Sequence, residues 1–379
     1  MNPAHERLDP ERSRISDDFD VRGAGWSGGR MVVIGASAGG VEALQRVVRH
    51  LPPSFRAPVV VVVHVPPTAF SRLPDILVRA GPLPARHVVD GEHLEPGMIH
   101  VAPPDRHVIT NDGRLALVDG PRENGVRPAI DPLFRSAARH YADRLIAAVL
   151  SGTLDDGTAG LAAVHANGGI TVAQEPSDAI CPGMPLNAIE NATVDYVVPA
   201  DDMADLFVTL LGQPPSATLG RPRSPRSTGS IPTDLVCPEC GGVLRQFDEN
   251  GVIRFHCRVG HNYSQEALFS AHDARLEAAM WSSIRALEEA ASMANRLATA
   301  ARERGANQSA RRFDDRERDA AERADIIRSA ILTLGGLHET PDVAEAEPVA
   351  SEDEKIREAL RIGADEDDNE PEAGDEAAS

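Results

Sequence analysis

Three apolar stretches in the first 150 residues have the pattern of β-strands that are buried on both faces of a parallel sheet. Residues 31–36, 58–63 and 145–150 are nearly continuous runs of aliphatic residues. Between the first two, apolar residues recur at helical spacing over residues 41–51. The crossover in such a strand–helix–strand unit is right-handed, which brings the carboxyl ends of the strands to one edge. The pattern predicts an α/β fold, a Rossmann-like and mostly parallel sheet with helices on both faces.

Residues with catalytic chemistry follow each of these three strands. Ser37 lies in a Gly-x-Ser-x-Gly motif, where a sharp strand-to-helix turn exposes the serine hydroxyl. His64 ends the second strand, and Asp155 and Asp156 lie in the Gly- and Asp-rich turn after the third. A nucleophile, a general base and a carboxylate that orients the base need this proximity. Ser37, His64 and Asp156 are therefore the candidate catalytic triad, with Asp155 as the alternative carboxylate.

Simpler explanations of the same residues stay open at this point. The glycine-rich turn at Ser37 could be a tight turn or a phosphate cradle at a helix N-terminus. His64 could be packed in the core, and Asp156 could cap the following helix. Asp131, which precedes a proline, could likewise be a helix cap. The order Ser, His, Asp along the chain differs from the Ser, Asp, His order of α/β-hydrolases, which disfavours that fold.

Three of the four cysteines fall in a spacing that favours a zinc site. Cys237 and Cys240 form Cys-x2-Cys, and Cys257 and His261 form Cys-x3-His after 16 intervening residues. Two such knuckles joined by short strands predict a Cys3His zinc-ribbon-like module with a closed, structural metal site. The alternatives are a metal-free hairpin or a redox pair. Cys181 stands apart and fits loop or core packing.

The chain after the cysteines has a helical pattern. Apolar residues recur at three- and four-residue spacing from residue 264, the pattern breaks near Gly305, and it resumes up to Gly335. This predicts a helical hairpin. Its apolar stripe is most simply an intramolecular core, although self-association or partner docking is a sharper hypothesis. The stripe comprises Leu268, Leu276, Met280, Trp281, Ile284, Leu287, Ala291, Leu297, Phe313, Ala320, Ala324, Ile327, Ile331 and Leu334.

Composition and charge narrow the functional classes. The formal net charge is −20, and residues 339–379 carry 16 acidic and 3 basic residues, which predicts a disordered acidic tail. The chain has no basic stripe with interleaved aromatic residues, so we expect no nucleic-acid partner. No apolar run reaches the roughly 20 residues that span a bilayer, and the N-terminus lacks a signal-peptide core. A cytoplasmic protein without membrane insertion is therefore expected.

With these residues in view, the chain resembles the chemotaxis receptor methylesterases, protein-glutamate methylesterases with a CheB-type catalytic domain. Six motifs in family order, including the serine turn, extend over roughly residues 30–210; the sixth is residues 173–175 followed by 183–185. The matching segments are residues 34–40, 63–66, 97–107, 127–134, 152–157, 173–175 and 183–185. The resemblance implies hydrolysis of glutamate methyl esters on chemoreceptors, and it also allows glutamine deamidation. No cofactor is expected for catalysis, and the methylated cytoplasmic domain of a chemoreceptor is the expected substrate.

The resemblance also assigns residues by position. Ser37 resembles the nucleophile, His64 the base, Asp156 the orienting carboxylate, and the backbone N–H groups at Ala38 and Thr153 the oxyanion hole. Family members usually have Thr where this chain has Ala38, and Met where it has Thr153, but a backbone donor survives both changes. In this family Asp131 lies near the active site, without an assigned role. A loop at Arg106 and His107 could bind substrate carboxylates or be solvated.

The sequence predicts six segments. They are a disordered arm (1–28), a methylesterase catalytic domain (29–212), a linker (213–232), a zinc-ribbon-like module (233–263), a helical hairpin (264–335) and an acidic disordered tail (336–379). The arm is too short for the receiver domain that many relatives carry, so we expect a stand-alone form regulated in another way. A competing hypothesis is a weakly active or non-catalytic signalling scaffold that acts through the C-terminal zinc and helical region.

Overall fold

The computed structural model describes residues 29–111, 113–213 and 227–335. The predicted arm (1–28), most of the predicted linker and the predicted acidic tail (336–379) lie outside the described residues. The described chain forms two compact units, one that ends at Leu268 and one that begins at Phe269.

A seven-stranded sheet lies at the centre of the first unit. The strands before residue 200 are β1 (Met31–Ala36), β2 (Val59–Val63), β3 (Ala85–His87), β4 (Ile99–Val101), β5 (His107–Asn111), β6 (Arg114–Val118), β7 (Leu145–Val149), β8 (Ile170–Gln174) and β9 (Tyr196–Val198). The sheet has the order β3-β4-β2-β1-β7-β8-β9, and every neighbouring pair is parallel. Strands β5 and β6 form a separate antiparallel hairpin. The predicted α/β class is confirmed.

Helices cover both faces of this sheet. They are α1 (Gly40–His50), α2 (Leu73–Ala80), α3 (Ile130–Tyr141), α4 (Thr158–Ala166), α5 (Gly183–Asn191) and α6 (Met203–Leu211). Alternate residues of β1 enter two separate cores: Val32 and Ile34 pack on one face, and Met31 and Val33 on the other. Burial on both faces explains why the strand sequences are almost wholly apolar.

The connection order places the catalytic candidates at one point on the sheet edge. From β1 the chain continues to β2 on one side, and the later strand β7 pairs with β1 on the other. In open α/β sheets, the crevice at such a reversal is where ligands bind. Ser37 follows β1, His64 follows β2, and Asp156 lies in the turn after β7.

A second, antiparallel sheet belongs to the same unit. Its strands are β10 (Ser227–Val236), β11 (Val243–Glu249), β12 (Val252–Cys257) and β13 (Asn262–Ser264), paired in that order. We call residues 227–264 the ribbon. The Asn262 carbonyl accepts a hydrogen bond from the Asn124 N–H at 2.7 Å, so the ribbon edge pairs with a loop of the catalytic domain. Strand β10 begins within the range predicted as linker.

Two long helices follow, as the helical pattern predicts: α7 (Gln265–Glu303) and α8 (Asn307–Gly335). In the second unit an ion pair joins Glu288 of α7 to Arg328 of α8 at 2.7 Å. Ile284 is buried at 2% exposure, as expected for a hairpin core, whereas Leu276 and Trp281 of the predicted stripe are 52% and 41% exposed. Among the described residues, no helix is long and apolar enough to cross a bilayer.

Candidate active site

Ser37 lies in the tight turn between β1 and α1. Its backbone N–H donates to the Ser151 carbonyl at 2.9 Å, and its own carbonyl accepts from the Gly40 N–H at 2.8 Å. Gly39 has a φ of +70°, and a Cβ built there would lie 2.6 Å from both the Ser151 hydroxyl oxygen and the Ile180 Cβ. The turn therefore requires glycine at position 39, and it holds Ser37 rigidly with 6% exposure.

The His64 ring bridges the serine and the aspartate. Its Nδ1 lies 3.1 Å from the Ser37 Oγ, and its Nε2 lies 2.7 Å from the Asp156 Oδ2. An ionised Asp156 accepts a hydrogen bond, so the proton of the neutral ring belongs on Nε2 and Nδ1 is left to accept from the serine hydroxyl. The geometry thus sets the tautomer in which His64 can act as a base toward Ser37.

Asp156 is the carboxylate that contacts the imidazole, and it is held at the N-terminus of α3. It is 3% exposed, its Oδ2 accepts from the Ile130 N–H at 2.7 Å, and its Oδ1 accepts from the Asn124 side-chain amide at 2.8 Å. Burial opposes ionisation, but the hydrogen bond and charge of His64, the Ile130 N–H and the charge of Arg254 together lower the pKa of Asp156 below its usual range. Asp156 is therefore ionised at neutral pH.

Asp155, the alternative carboxylate, faces away from His64. Its Oδ1 accepts a short hydrogen bond from the hydroxyl of Ser264, the last residue of β13. Burial raises the pKa of Asp155 to about 6, despite that hydrogen bond. The structure therefore brings together Ser37, His64 and Asp156, and it directs Asp155 to the ribbon.

Asp131 lies directly behind the triad carboxylate. It is fully buried, and its Oδ1 accepts from the Gly157 and Gly160 N–H groups at 3.1 and 2.7 Å, so it caps α4 and not its own helix. Its Oδ2 pairs with the guanidinium of Arg254 on β12. Burial raises the pKa of Asp131, the charge of Arg254 lowers it, and the neighbouring charge of Asp156 raises it again.

The two expected oxyanion donors lie next to the serine and on the wall of the cleft. In the described part of the chain, no acceptor is found for the backbone N–H of Ala38, which follows Ser37 directly. Thr153 lines a cavity of about 360 Å³ together with His64, Asn124, Arg122 and Arg127. The cavity therefore opens onto the His64 face of the triad and carries two arginines on its rim.

Arg106 and His107, the loop residues that could bind substrate carboxylates, contact other groups of the protein. Arg106 pairs with Asp119 at 2.7 Å. His107 is buried; its Nε2 lies 3.0 Å from the Pro121 carbonyl oxygen, and its Nδ1 accepts from the Ala129 N–H at 3.2 Å. Neither residue lines the cavity. Burial lowers the pKa of His107, which favours the neutral ring.

The four residues of the predicted metal site converge in the ribbon. Their ligand atoms all lie within 4.8 Å of one another. The Sγ atoms of Cys240 and Cys257 are 3.7 Å apart, and the His261 Nδ1 lies 3.6 Å from the Cys237 Sγ and 3.5 Å from the Cys257 Sγ. Tetrahedral zinc with metal–sulfur bonds of about 2.3 Å requires sulfur atoms about 3.8 Å apart. The donor set and its spacing therefore fit a four-coordinate zinc ion.

A carboxylate supports this cluster from outside. The Nε2 of His261 lies 3.0 Å from the Glu239 carboxylate, which leaves Nδ1 free of its proton and available to a metal. The turns that carry the cysteines are closed by backbone hydrogen bonds, from Gly241 N–H to the Cys237 carbonyl and from Gly260 N–H to the Cys257 carbonyl. Cys181 lies apart from the cluster, where its carbonyl accepts from the Gly152 N–H at 2.9 Å.

Sequence reasoning missed Asn124, which contacts Asp156, and Arg254, which contacts the neighbouring carboxylate of Asp131. Asn124 lies in an irregular loop, and Arg254 lies 123 residues beyond Asp131 on another sheet. Neither has a local motif. In β12, Arg254 lies between the apolar residues Ile253 and Phe255, an alternation that would equally place it on an exposed face.

A serine, a histidine and a buried aspartate that meet at the strand ends of a parallel α/β sheet indicate the class of hydrolases. A sequence model described as CheB methylesterase matches residues 32–207. A Leptospira interrogans protein assigned as a protein-glutamate methylesterase/protein-glutamine glutaminase is 37% identical over 180 residues, which cover 47% of this chain and 93% of that protein. An Anaeromyxobacter dehalogenans protein-glutamate methylesterase/protein-glutamine glutaminase is 42% identical over 47% of this chain and 52% of that protein.

A solved structure is also similar, the CheB methylesterase catalytic domain of Thermotoga maritima. It is 35% identical, with a TM-score of 0.47, over 48% of this chain and 99% of that domain. From the sequence matches, the chain belongs to the CheB methylesterase family, a family of carboxylic ester hydrolases. The family match ends at residue 207, before the ribbon.

Proposed function

We propose that this chain removes methyl groups from glutamate methyl esters of chemoreceptors, and that Ser37, His64 and Asp156 carry out the reaction. The observation that carries the proposal is the continuous path from the Ser37 Oγ through the His64 ring to the Asp156 carboxylate, with contacts of 3.1 and 2.7 Å. The names of the relatives support the substrate class. A cytoplasmic location would place the enzyme beside the receptor domain that bears these esters.

The geometry supports the following reaction. The Ser37 Oγ attacks the ester carbonyl carbon while its proton moves to the His64 Nδ1, and Asp156 stabilises the resulting imidazolium. The intermediate collapses, the carbon–oxygen bond to the methoxy group breaks, and His64 returns the proton so that methanol leaves. Water then gives a proton to His64 and attacks the acyl carbon. The bond from that carbon to the Ser37 Oγ breaks, His64 returns the proton to the Oγ, and glutamate is released.

The backbone N–H groups of Ala38 and Thr153 would hold the oxyanion. Ala38 immediately follows the nucleophile, and Thr153 lies on the wall of the same cavity as His64. Because both contributions come from the backbone, the side chains at these positions need not match those usual in the family. The same steps with ammonia as the leaving group would deamidate glutamine, the second activity in the relatives' names.

Labelling with a fluorophosphonate tests the nucleophile without a receptor substrate. Since His64 activates the Ser37 hydroxyl, we expect covalent labelling at Ser37 that falls at least about a hundredfold in rate in His64→Ala. Mass spectrometry of the labelled peptide identifies the site. The alternative, a signalling scaffold with a weakened hydrolase fold, predicts no labelling of well-folded protein. His140→Ala, which removes a histidine on α3 that bonds the Ser136 carbonyl, is the matched control.

We further propose that Cys237, Cys240, Cys257 and His261 bind one structural zinc ion. With four protein ligands the site would be closed, so zinc would stabilise the ribbon and take no part in ester cleavage. We also propose the segment boundaries given above, with the zinc-ribbon-like module (233–263) distinct in sequence from the catalytic domain; the ribbon sheet extends further back, to Ser227. The spacing of the four ligand atoms supports the metal assignment.

Metal analysis of the full chain checks this. Purified protein should carry about one zinc ion per chain, and Cys257→Ser should lose it, because three ligands hold zinc much more weakly than four. Cys181→Ser is the matched control, since Cys181 lies outside the cluster. Wild-type protein that binds no zinc when zinc is supplied in excess would contradict the assignment.

A further inference from the structure

The ribbon places one charged side chain inside the catalytic domain. Arg254 of β12 is 0% exposed. Its Nη1 donates to the Asp131 Oδ2, its Nη2 lies 3.3 Å from the Glu123 carboxylate, and its Nε donates to the Asn262 Oδ1 at 3.1 Å. A guanidinium is buried this completely only where carboxylates compensate the loss of hydration.

The carboxylates behind the triad need that compensation. Asp131 and Asp156 share donors: the Gly157 N–H lies 3.1 Å from a carboxylate oxygen of each, and the Asn124 amide nitrogen lies 2.8 Å from Asp156 and 3.4 Å from Asp131. Two buried carboxylates this close resist joint ionisation, and one of them takes up a proton unless cations stand beside them. Arg254 contacts Asp131, whereas His64 contacts Asp156, the other member of the pair.

A second contact from the ribbon fixes the orientation of the shared amide. The Ser264 backbone N–H donates to the Asn124 Oδ1 at 2.9 Å. With its oxygen held there, the Asn124 amide turns its NH₂ group toward Asp156. The ribbon therefore touches both of the groups, Asp131 and Asn124, that position the triad carboxylate.

We propose that the ribbon completes the active site, with Arg254 as a positioning residue that acts through Asp131, while the Ser264 N–H holds Asn124, so that Asp156 stays ionised and aligned with His64. The inference deepens the proposed esterase function and rests on it. It assigns a catalytic consequence to a segment that lies beyond the family match, which ends at residue 207.

The expected signature is a change in pH dependence. The charged and titratable groups that surround the carboxylate pair are His64, His107, Glu123, Arg135, Asp155, Glu249 and Arg254. Removing the Arg254 charge raises the pH at which the carboxylate pair takes up a proton. As pH falls, the negative charge beside His64 is therefore lost at a higher pH than in the wild type. The acid limb of activity therefore moves to higher pH, and the maximal rate falls because the imidazole is less well oriented.

The test compares Arg254→Met, Arg254→Gln and Arg254→Lys in the full chain. Rates of methanol release and of fluorophosphonate labelling at Ser37 are measured against pH. In both neutral variants we expect kcat to fall about tenfold or more, with little change in KM, and the acid limb to move up by about one pH unit. Arg254→Lys, which keeps the charge, should retain the wild-type limb. Arg245→Met, an exposed arginine on β11 that bonds Ser230, is the matched control.

Each outcome of this test either supports or overturns the proposed role of Arg254. If both neutral variants melt at lower temperature but keep the wild-type kcat and pH profile when folded, Arg254 is merely structural and the proposal is overturned. If Arg254→Met does not fold, Arg254→Gln, which retains a donor to Asp131, decides by the same criterion. If the proposed esterase function is wrong, the wild-type protein itself releases no methanol. In that case the rate of fluorophosphonate labelling at Ser37 still measures the effect of the Arg254 substitutions.

Discussion

Ser37→Ala should lower kcat for methanol release from methylated chemoreceptor cytoplasmic fragments by about 10⁴-fold or more. The substitution removes one oxygen atom, the Ser37 Oγ, which lies 3.1 Å from the His64 Nδ1. Because this oxygen is the proposed nucleophile, the acyl-enzyme can no longer form. The backbone contacts that hold the turn, from Ser37 N–H to Ser151 and from Gly40 N–H to Ser37, do not use the hydroxyl. The fold and the binding of receptor should therefore persist.

The matched control is Ser177→Ala, which removes an exposed hydroxyl that bonds Glu175. It should release methanol at the wild-type rate. Thermal melts of both variants should coincide with that of the wild type within a few degrees. Retention of turnover by Ser37→Ala would show that another group attacks the ester, and the triad assignment would then fail even though the family membership stands.

Asp156→Asn should lower kcat by about 10⁴-fold, because an amide cannot hold the tautomer that the reaction needs. Its NH₂ group would donate to the His64 Nε2, which moves the ring proton to Nδ1, the atom that has to accept from Ser37. The affinity for receptor should change little, so the loss appears in kcat and not in KM. Methanol release under saturating substrate measures it.

The neighbouring aspartate gives an internal comparison. Asp155→Asn alters a carboxylate that contacts Ser264 and not His64, and asparagine can still accept from the serine hydroxyl, so a loss within about tenfold is expected. Equal losses in the two variants would be incompatible with a unique orienting role for Asp156. A larger loss of kcat in Asp155→Asn than in Asp156→Asn would show that Asp155, and not Asp156, is the carboxylate that orients His64.

The strand ends could be predicted from the sequence because their signals are local. An unbroken valine run such as residues 59–63 has few structural solutions, and the βαβ rule then puts Ser37 and His64 on the same edge. The choice of Asp156 over Asp155 agrees with the observed contact to His64, but neither propensity nor spacing could settle it from sequence. Adjacent residues in an irregular turn point in different directions, and the turn's dihedral angles are set by tertiary contacts.

Two features of the structure could not be predicted from the sequence, the contact of Arg254 with Asp131 and the rotation of the two long helices. The contact between Arg254 and Asp131 joins residues 123 positions apart, and a buried arginine on a strand reads in sequence like an exposed one. The apolar stripe predicted the two long helices but not how each helix is rotated about its own axis, since Ile284 is buried whereas Leu276 is half exposed. Helical periodicity identifies an apolar face without specifying which of its members meet the partner helix.

The buried ion pair at Arg254 bears on how such a chain can be shortened or recombined. A cut at residue 212 looks natural because the family match ends at residue 207, yet it would remove Arg254 from the carboxylates of Asp131 and Glu123 and leave them only Arg135 as a cationic partner among the described ion pairs. Separating a buried pair in this way costs about 3–5 kcal/mol, a large part of the stability of a typical domain. A shortened or recombined chain without the ribbon would therefore need compensating substitutions around Asp131 and Glu123 to keep the hydrolase fold equally stable.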